Sequence, residues 1–238
     1  MDMEGREKTE ELLIREISNL RNRVAELEKA ESALRRAEET LSYSLEKLRK
    51  ATRFIIDVIV MAVETRDPYT SGHQKRVTDL ARSIATEMKL SPEIIDGIHM
   101  AGLIHDLGKI SIPAEILGLP RNLNNVEYSI VKTHPEIGYQ ILKDIDFSSP
   151  VALIVYQHHE RMNGSGYPQG IRGEEILLEA RILAVADVVE AICTHRPYRP
   201  ALGIDKALKE ISQHRGILYD PGVVDVCIKL FREEMFKF

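Results

Sequence analysis

Cysteine is scarce in this chain, with only Cys193 and Cys227 among 238 residues. That number and spacing exclude a disulfide scaffold and a sulfur-ligated metal site. A basic excess is also lacking: 37 acidic against 32 basic side chains leave a net charge of -5. This argues against a nucleic-acid polymer binder that works by neutralising phosphates. No long hydrophobic run is present. The longest, Phe54 to Val63, is interrupted by Asp57 and falls short of the roughly 20 residues that span a bilayer. The opening MDMEGREKTEELL has no apolar signal core. The expectation is therefore a cytoplasmic chain without a membrane segment, and an upstream sensor domain in a longer receptor stays open. Between Gly5 and Pro68 there is neither glycine nor proline, which makes a long helix the default there.

Leucine fills that region at intervals of seven, as Leu13, Leu20, Leu27, Leu34, Leu41 and Leu48, continuing to Ile55. Ile17, Val24 and Leu45 occupy the intermediate positions, so the pattern is a sustained heptad seam. From Leu13 to Ile55 such a helix would be roughly 63 Å long, too long to fold back onto a small domain. Pairing with a second copy as a homodimer is expected. Glu31 and Glu38 lie on the seam and would face their own copies in a parallel pair, weakening its middle. Heptads specify pairing and not switching, so a plain dimerisation helix and a signal-transmitting one both remain open.

After Arg66 proline and glycine recur, and the segments between them show helical periodicity, which predicts an all-α domain. A helix starting near Thr70 or Ser71 would place His73, Val77, Leu80, Ala81, Ile84 and Met88 on one stripe. A second, capped by Ser91 with Pro92 in its first turn, would run through Ile98, Ala101 and Ile104 to His105 and Asp106 and stop at Gly108. From Val151 to Arg161, His158 and His159 share a face with Val151, Ile154 and Val155. Around 176–194 the carboxylate of Asp187 falls among Ala180, Leu183, Ala184 and Ala191, and a buried charge needs a partner.

Singly, an inward histidine reads as a hydrogen-bonded core residue, and His99, His195 and His214 are left in that category. Seven residues are harder to explain one at a time. His73, His105, Asp106, His134, His158, His159 and Asp187 all fall on inward faces or helix junctions of one domain, and together they favour a metal.

The strings ETRDPYTSGHQKR at 64–76, HDLGK at 105–109, THPEIG at 133–138, HHERMNGSGYP at 158–168, and ADVVEA with RPYR within 186–199 resemble the HD-GYP domain. This is a bacterial subgroup of the HD-superfamily metal-dependent phosphohydrolases. The resemblance covers about residues 54–238, including Tyr219-Asp220-Pro221. It implies an HD-type helical bundle at 54–238, preceded by a coiled-coil linker at 1–53. By resemblance His73, His105, Asp106 and Asp187 bind one metal. A second would use Asp106 as a bridge together with His134, His158 and His159. Mixed imidazole and carboxylate ligands suit Fe or Mn, with Zn as an alternative, and two divalent ions per chain are expected.

The implied activity is hydrolysis of cyclic di-GMP to pGpG, with onward cleavage to GMP left open, by a hydroxide activated at the two metals. Asp106 and Lys109 are the implied catalytic residues. Lys109, Tyr167 of the glycine-rich loop, Arg196 and Arg199 are the implied substrate contacts, since guanidinium forks match phosphate oxygens. Two rivals stay open: a non-catalytic cyclic-dinucleotide or partner-binding module, and an HD phosphohydrolase acting on another nucleotide, which would leave His134, His158 and His159 without a role. Two departures from the family pattern stand out. Tyr69 occupies the place where some members put a carboxylate for a third metal, and His195 precedes Arg196 where aspartate is commoner.

Overall fold

A computed structural model of the chain describes residues 3–66, 72–195, 200–233 and 236–238. Ten α-helices run through these residues: α1 (Met3–Arg66), α2 (His73–Glu87), α3 (Pro92–Ile104), α4 (Ala114–Leu117), α5 (Asn125–Val131), α6 (His134–Leu142), α7 (Val151–Gln157), α8 (Leu178–Cys193), α9 (Ile204–Gln213) and α10 (Pro221–Arg232). Short 3-10 turns lie at Leu107–Ser111 and Gly173–Glu175. The described residues contain no β-strand, only an isolated bridge between Arg215 and Tyr219. The fold is all-α, and among the described residues no helix is long and apolar enough to cross a membrane.

The chain divides into two units, residues 1–55 and 56–238. From Met3 onward the first is continuous helix, and its six seam leucines from Leu13 to Leu48 are 54–67% exposed. A single helix offers these side chains nothing to pack against. Helix α1 carries on to Arg66, where Asp67-Pro68 follows in the sequence; proline lacks an amide donor and disfavours helix at the residue before it.

The second unit is built around α8, which packs against α2, α3, α7, α9 and α10. Ala180, Ile182, Leu183, Val185, Ala186 and Val189 of this helix are fully buried. The expected stripe of α2 forms with Val77, Leu80, Ala81 and Ile84 in the core, and α3 supplies Ile98, Ala101 and Ile104. Each large aliphatic side chain so buried stabilises the fold by about 1.5–3 kcal/mol. The last turns of α1 belong to this core through Ile56, Val60 and Val63. At the other end α10 starts with Pro221 in its first turn, and the Asp220 carboxylate accepts from the amides of Gly222 and Val223.

Several local expectations need correction. Helix α3 ends at Ile104, with His105 as its C-cap, so His105 and Asp106 lie just past the helix rather than inside it. Ser91 holds the N-cap position, but its hydroxyl makes no capping hydrogen bond. Helix α7 stops at Gln157, so His158 and His159 sit in the turn that follows. There the Val155 carbonyl bonds to the His158 ring, and the Gln157 carbonyl accepts from the Glu160 amide in an i−3 turn. His195 is exposed and His99 and His214 are half-buried, so none of the three is a core residue. Thr70, Ser71 and Tyr69 lie outside the described residues.

Candidate metal centre

Four helix ends converge on one place. His73 is the first residue of α2, His105 and Asp106 follow α3, His134 opens α6, and His158 and His159 follow α7, while Asp187 stands mid-way along α8. A close backbone approach makes the convergence possible. Gly108 lies against the start of α6 so tightly that a Cβ there would come 1.9 Å from the His134 carbonyl oxygen. Only glycine lets the turn carrying Asp106 rest on the helix carrying His134.

His73, His105 and Asp106 form one group of potential ligand atoms, and His134, His158 and His159 form a second. In the first, His73 Nε2 is 3.3 Å from Asp187 Oδ1 and 3.9 Å from Asp106 Oδ2, and His105 Nε2 is 3.7 Å from Asp106 Oδ2. The other Asp106 oxygen, Oδ1, lies 3.5 Å from His134 Nε2. One carboxylate therefore presents an oxygen to each group. Asp106 is also 2.7 Å from Lys109 Nζ through Oδ2.

The imidazoles are oriented by their far nitrogens. Nδ1 of His105, His134 and His158 lies 2.7, 2.8 and 2.6 Å from the carbonyl oxygens of Gly102, Val131 and Val155, each three residues earlier. A carbonyl only accepts, so each Nδ1 carries the hydrogen and each Nε2 keeps its lone pair. Two consequences point to a cation. His105 Nε2 is buried without a hydrogen-bond partner, and an orphaned buried acceptor is costly. His134 Nε2 and His158 Nε2 face each other at 3.3 Å with no hydrogen between two lone pairs.

A proton does not fill that second place. Burial, joined by Lys109 and His105 and opposed by Asp106, pushes the His134 imidazole down to about 4. Burial, with neighbouring histidines, also holds His158 and His159 well below the ordinary range. Neutral imidazoles are the form that ligates metals. His73 behaves oppositely: burial lowers it, but Asp187 and Glu190 overcome that and raise it to about 9. Burial would raise Asp106 and Asp187, yet Lys109 and the histidines hold Asp106 well down and His73 does the same for Asp187. Among the described residues, Lys109 and Arg76 are the fixed cations paired with the carboxylates of Asp106 and Glu190. A proton on His73 supplies the missing positive charge, and a metal ion between the same groups would replace it. The donor set fits a metal centre.

Glu190 was missed in the sequence reading. It is fully buried, is hydrogen-bonded to His73 Nδ1, and is held 2.7 Å from the Arg76 guanidinium. This is the carboxylate–histidine arrangement that fixes a ligand's tautomer. A signal was available: Glu190 is three residues after Asp187 on an otherwise apolar helix face. Glu64, in the last turn of α1, accepts from the Gly72 amide at 2.9 Å and so braces the residue before His73.

The glycine-rich loop closes beside His159. Glu160 is buried and accepts from the amides of Gln169 and Gly170, while Gly166 packs on the Glu160 backbone, where a Cβ would approach to 2.4 Å. Tyr167 is thereby laid on His159, with ring centroids 4.7 Å apart at 30°. Of the expected site residues, all seven candidate ligands and Lys109 and Tyr167 gather here; Arg196 and Arg199 lie outside the described residues.

A helical domain with a His-Asp pair at the heart of a two-part histidine and carboxylate centre defines the class, and the chain belongs to the HD domain family, which it matches over residues 57–223. It is 40% identical over 207 residues to the cyclic di-GMP phosphodiesterase response regulator RpfG of Xanthomonas campestris, covering 85% of this chain and 55% of that protein. It is 35% identical over 167 residues to the 3'3'-cGAMP-specific phosphodiesterase 3 of Vibrio cholerae, covering 70% of this chain and 36% of that one. The chain thus spans about half or less of the length of these relatives. Among solved structures, Bd1817, an HDG"Y"P protein from Bdellovibrio bacteriovorus, shares the fold at a TM-score of 0.59 and 19% identity over 77% of this chain and 64% of that one.

Proposed function

We propose that residues 54–238 form the hydrolytic domain of a metal-dependent cyclic di-GMP phosphodiesterase, and that residues 1–53 are its dimerising linker. The observation that carries this reading is the split carboxylate of Asp106, one oxygen toward each histidine group. A carboxylate split in this way would be shared between two ions. His73, His105, Asp106 and Asp187 would hold one ion, and Asp106, His134, His158 and His159 the other. The ligand set favours Fe or Mn, and Zn is the alternative. When bound, the ions supply a nucleophile at neutral pH and Lewis acidity toward a phosphate oxygen.

The chain's own groups do the rest. Lys109 neutralises Asp106 and presents an ammonium beside the reacting phosphate. Tyr167, supported by His159 and by the loop tied to Glu160, offers a face and a hydroxyl to the nucleotide. Arg196 and Arg199 would receive phosphate oxygens bidentately. The exposed leucine seam of α1 supports the homodimer, and two free thiols suit the reducing cytoplasm.

A second substrate has a specific observation behind it, since a relative of 35% identity is named for 3'3'-cGAMP. The test is to load the purified chain with Fe or Mn without air exposure, measure metal content, and incubate with cyclic di-GMP and with 3'3'-cGAMP. About two metals per chain and a linear product from cyclic di-GMP are expected. Cleavage of 3'3'-cGAMP alone would move the substrate, and binding of cyclic di-GMP without turnover would favour a signalling module.

A further inference from the structure

Helix α5 buries no residue in the core, yet it is carefully fixed. Asn124 Oδ1 accepts from the amides of Val126 and Glu127, and Glu127 returns a bond from the Asn124 amide. Arg121 then clamps the Glu127 carboxylate at both oxygens, 2.8 and 2.7 Å away. A short helix gains little by itself, so this anchoring leaves a rigid element whose side chains serve something other than the core.

What it presents is an aromatic wall with a cation on it. Tyr128, 47% exposed, packs T-shaped with Tyr167, ring centroids 6.4 Å apart at 82°. Tyr167 in turn lies on His159. Lys132, at the C-cap of α5 and two residues before His134, holds its ammonium 5.1 Å from the Tyr128 ring centre and 6.0 Å from that of Tyr167. Lys132 pairs with no carboxylate among the described residues. The wall therefore runs outward from a candidate metal ligand through Tyr167 to Tyr128 and a cation available to an anion.

We infer that Tyr128 and Lys132 form a subsite for the non-reacting half of the cyclic dinucleotide, Tyr128 stacking a guanine and Lys132 holding the second phosphodiester; this rests on the substrate reading above. A cyclic dinucleotide carries two phosphodiesters and two purines, and a centre that grips one phosphate leaves the other to be held by the surrounding wall. Aromatic faces accept any base, and a lysine ammonium serves as a point charge for phosphate. The subsite separates a cyclic dinucleotide from a small phosphodiester that has no second phosphate.

The discriminating measurement compares kcat/KM for cyclic di-GMP with that for bis(4-nitrophenyl) phosphate on the metal-loaded full chain. For Tyr128→Ala and for Lys132→Ala the ratio should fall about tenfold, the size of one lost stacking or phosphate contact. The loss should lie mainly in KM, and Lys132→Arg should restore most of it. Circular dichroism and metal content verify that the variants fold. A ratio within twofold of wild type, or an equal fall on both substrates, overturns the subsite alone. A wild-type chain that leaves cyclic di-GMP intact overturns the substrate reading and the subsite with it.

Discussion

The two histidine groups of the centre are built on different principles. The group around His73 is rich in carboxylates: Asp106 and Asp187 face it, and Glu190, steadied by Arg76, holds His73 from behind. The group of His134, His158 and His159 has imidazoles alone, two of them aimed by backbone carbonyls, and borrows negative charge from Asp106 Oδ1 at His134 and from Asp187 at His158 and His159. The first attracts a cation by charge, and even a proton meets that demand at His73. The second repels protons through burial and offers only lone pairs. Asp106 is thus the carboxylate that turns one oxygen to each group.

The largest effect should follow from breaking that shared residue. Asp106→Asn keeps the shape and removes the charge, so both ions should be lost together. Losing several kcal/mol of Lewis-acid stabilisation at 1.36 kcal/mol per tenfold lowers the rate by on the order of 1,000-fold or more. Metal analysis and product formation measure both; retention of two metals by the variant would refute the bridging role.

Glu190→Gln should separate the groups. The partner of His73 Nδ1 loses its charge, and metal affinity at the first group should fall about 10–100-fold while the second is spared. Chelator titration should then show one ion leaving well before the other, in place of the closer release expected of wild type.

Gly108→Ala acts on the contact between the groups and not on any ligand. The new methyl group meets the His134 carbonyl, and overpacking of this kind costs about 1–3 kcal/mol. In a domain of this size that lowers Tm by about 2–4 °C per kcal/mol, read by thermal denaturation. An unchanged Tm would show that the two turns do not need to touch.

The smallest effect is a difference of sign with pH in metal-stripped protein. His134 has a folded value of about 4 against an ordinary 6.5, so the unfolded chain binds more protons between the two. Its contribution makes stability fall as pH drops through that window, and His158 and His159 act in the same direction. His73, raised to about 9, contributes stability that is complete below 6.5 and lost as pH rises through 9. Urea unfolding across pH should show the acid-side loss weakened in His134→Gln and the alkaline-side loss weakened in His73→Gln.

Much of this was legible in the residues. The heptad leucines, the missing glycine and proline before Pro68, and the α2 stripe are local patterns, and a helical period is a local property. The candidate ligands could be named because short strings around each one match a family. Glu190 escaped because one carboxylate three residues from another looks like an ordinary helix pair until His73, 117 positions earlier in the chain, is seen against it. The placement of His158 and His159 beyond α7 escaped because the same face pattern fits one more turn of helix, and the competition between carbonyl–imidazole and carbonyl–amide bonds is settled only by what surrounds them.

Residue order alone makes this chain helical, gives it a leucine seam, and groups histidines and aspartates of one family pattern. These follow from periodicity and from the side-chain types metals accept. It took packing across the fold to turn one carboxylate toward two histidine groups, to leave His105 Nε2 without a hydrogen-bond partner, and to stand Tyr128 and Lys132 beside Tyr167. Those relations depend on atoms a few ångströms apart in residues dozens of positions distant, and close packing sets such distances where local preference has no reach.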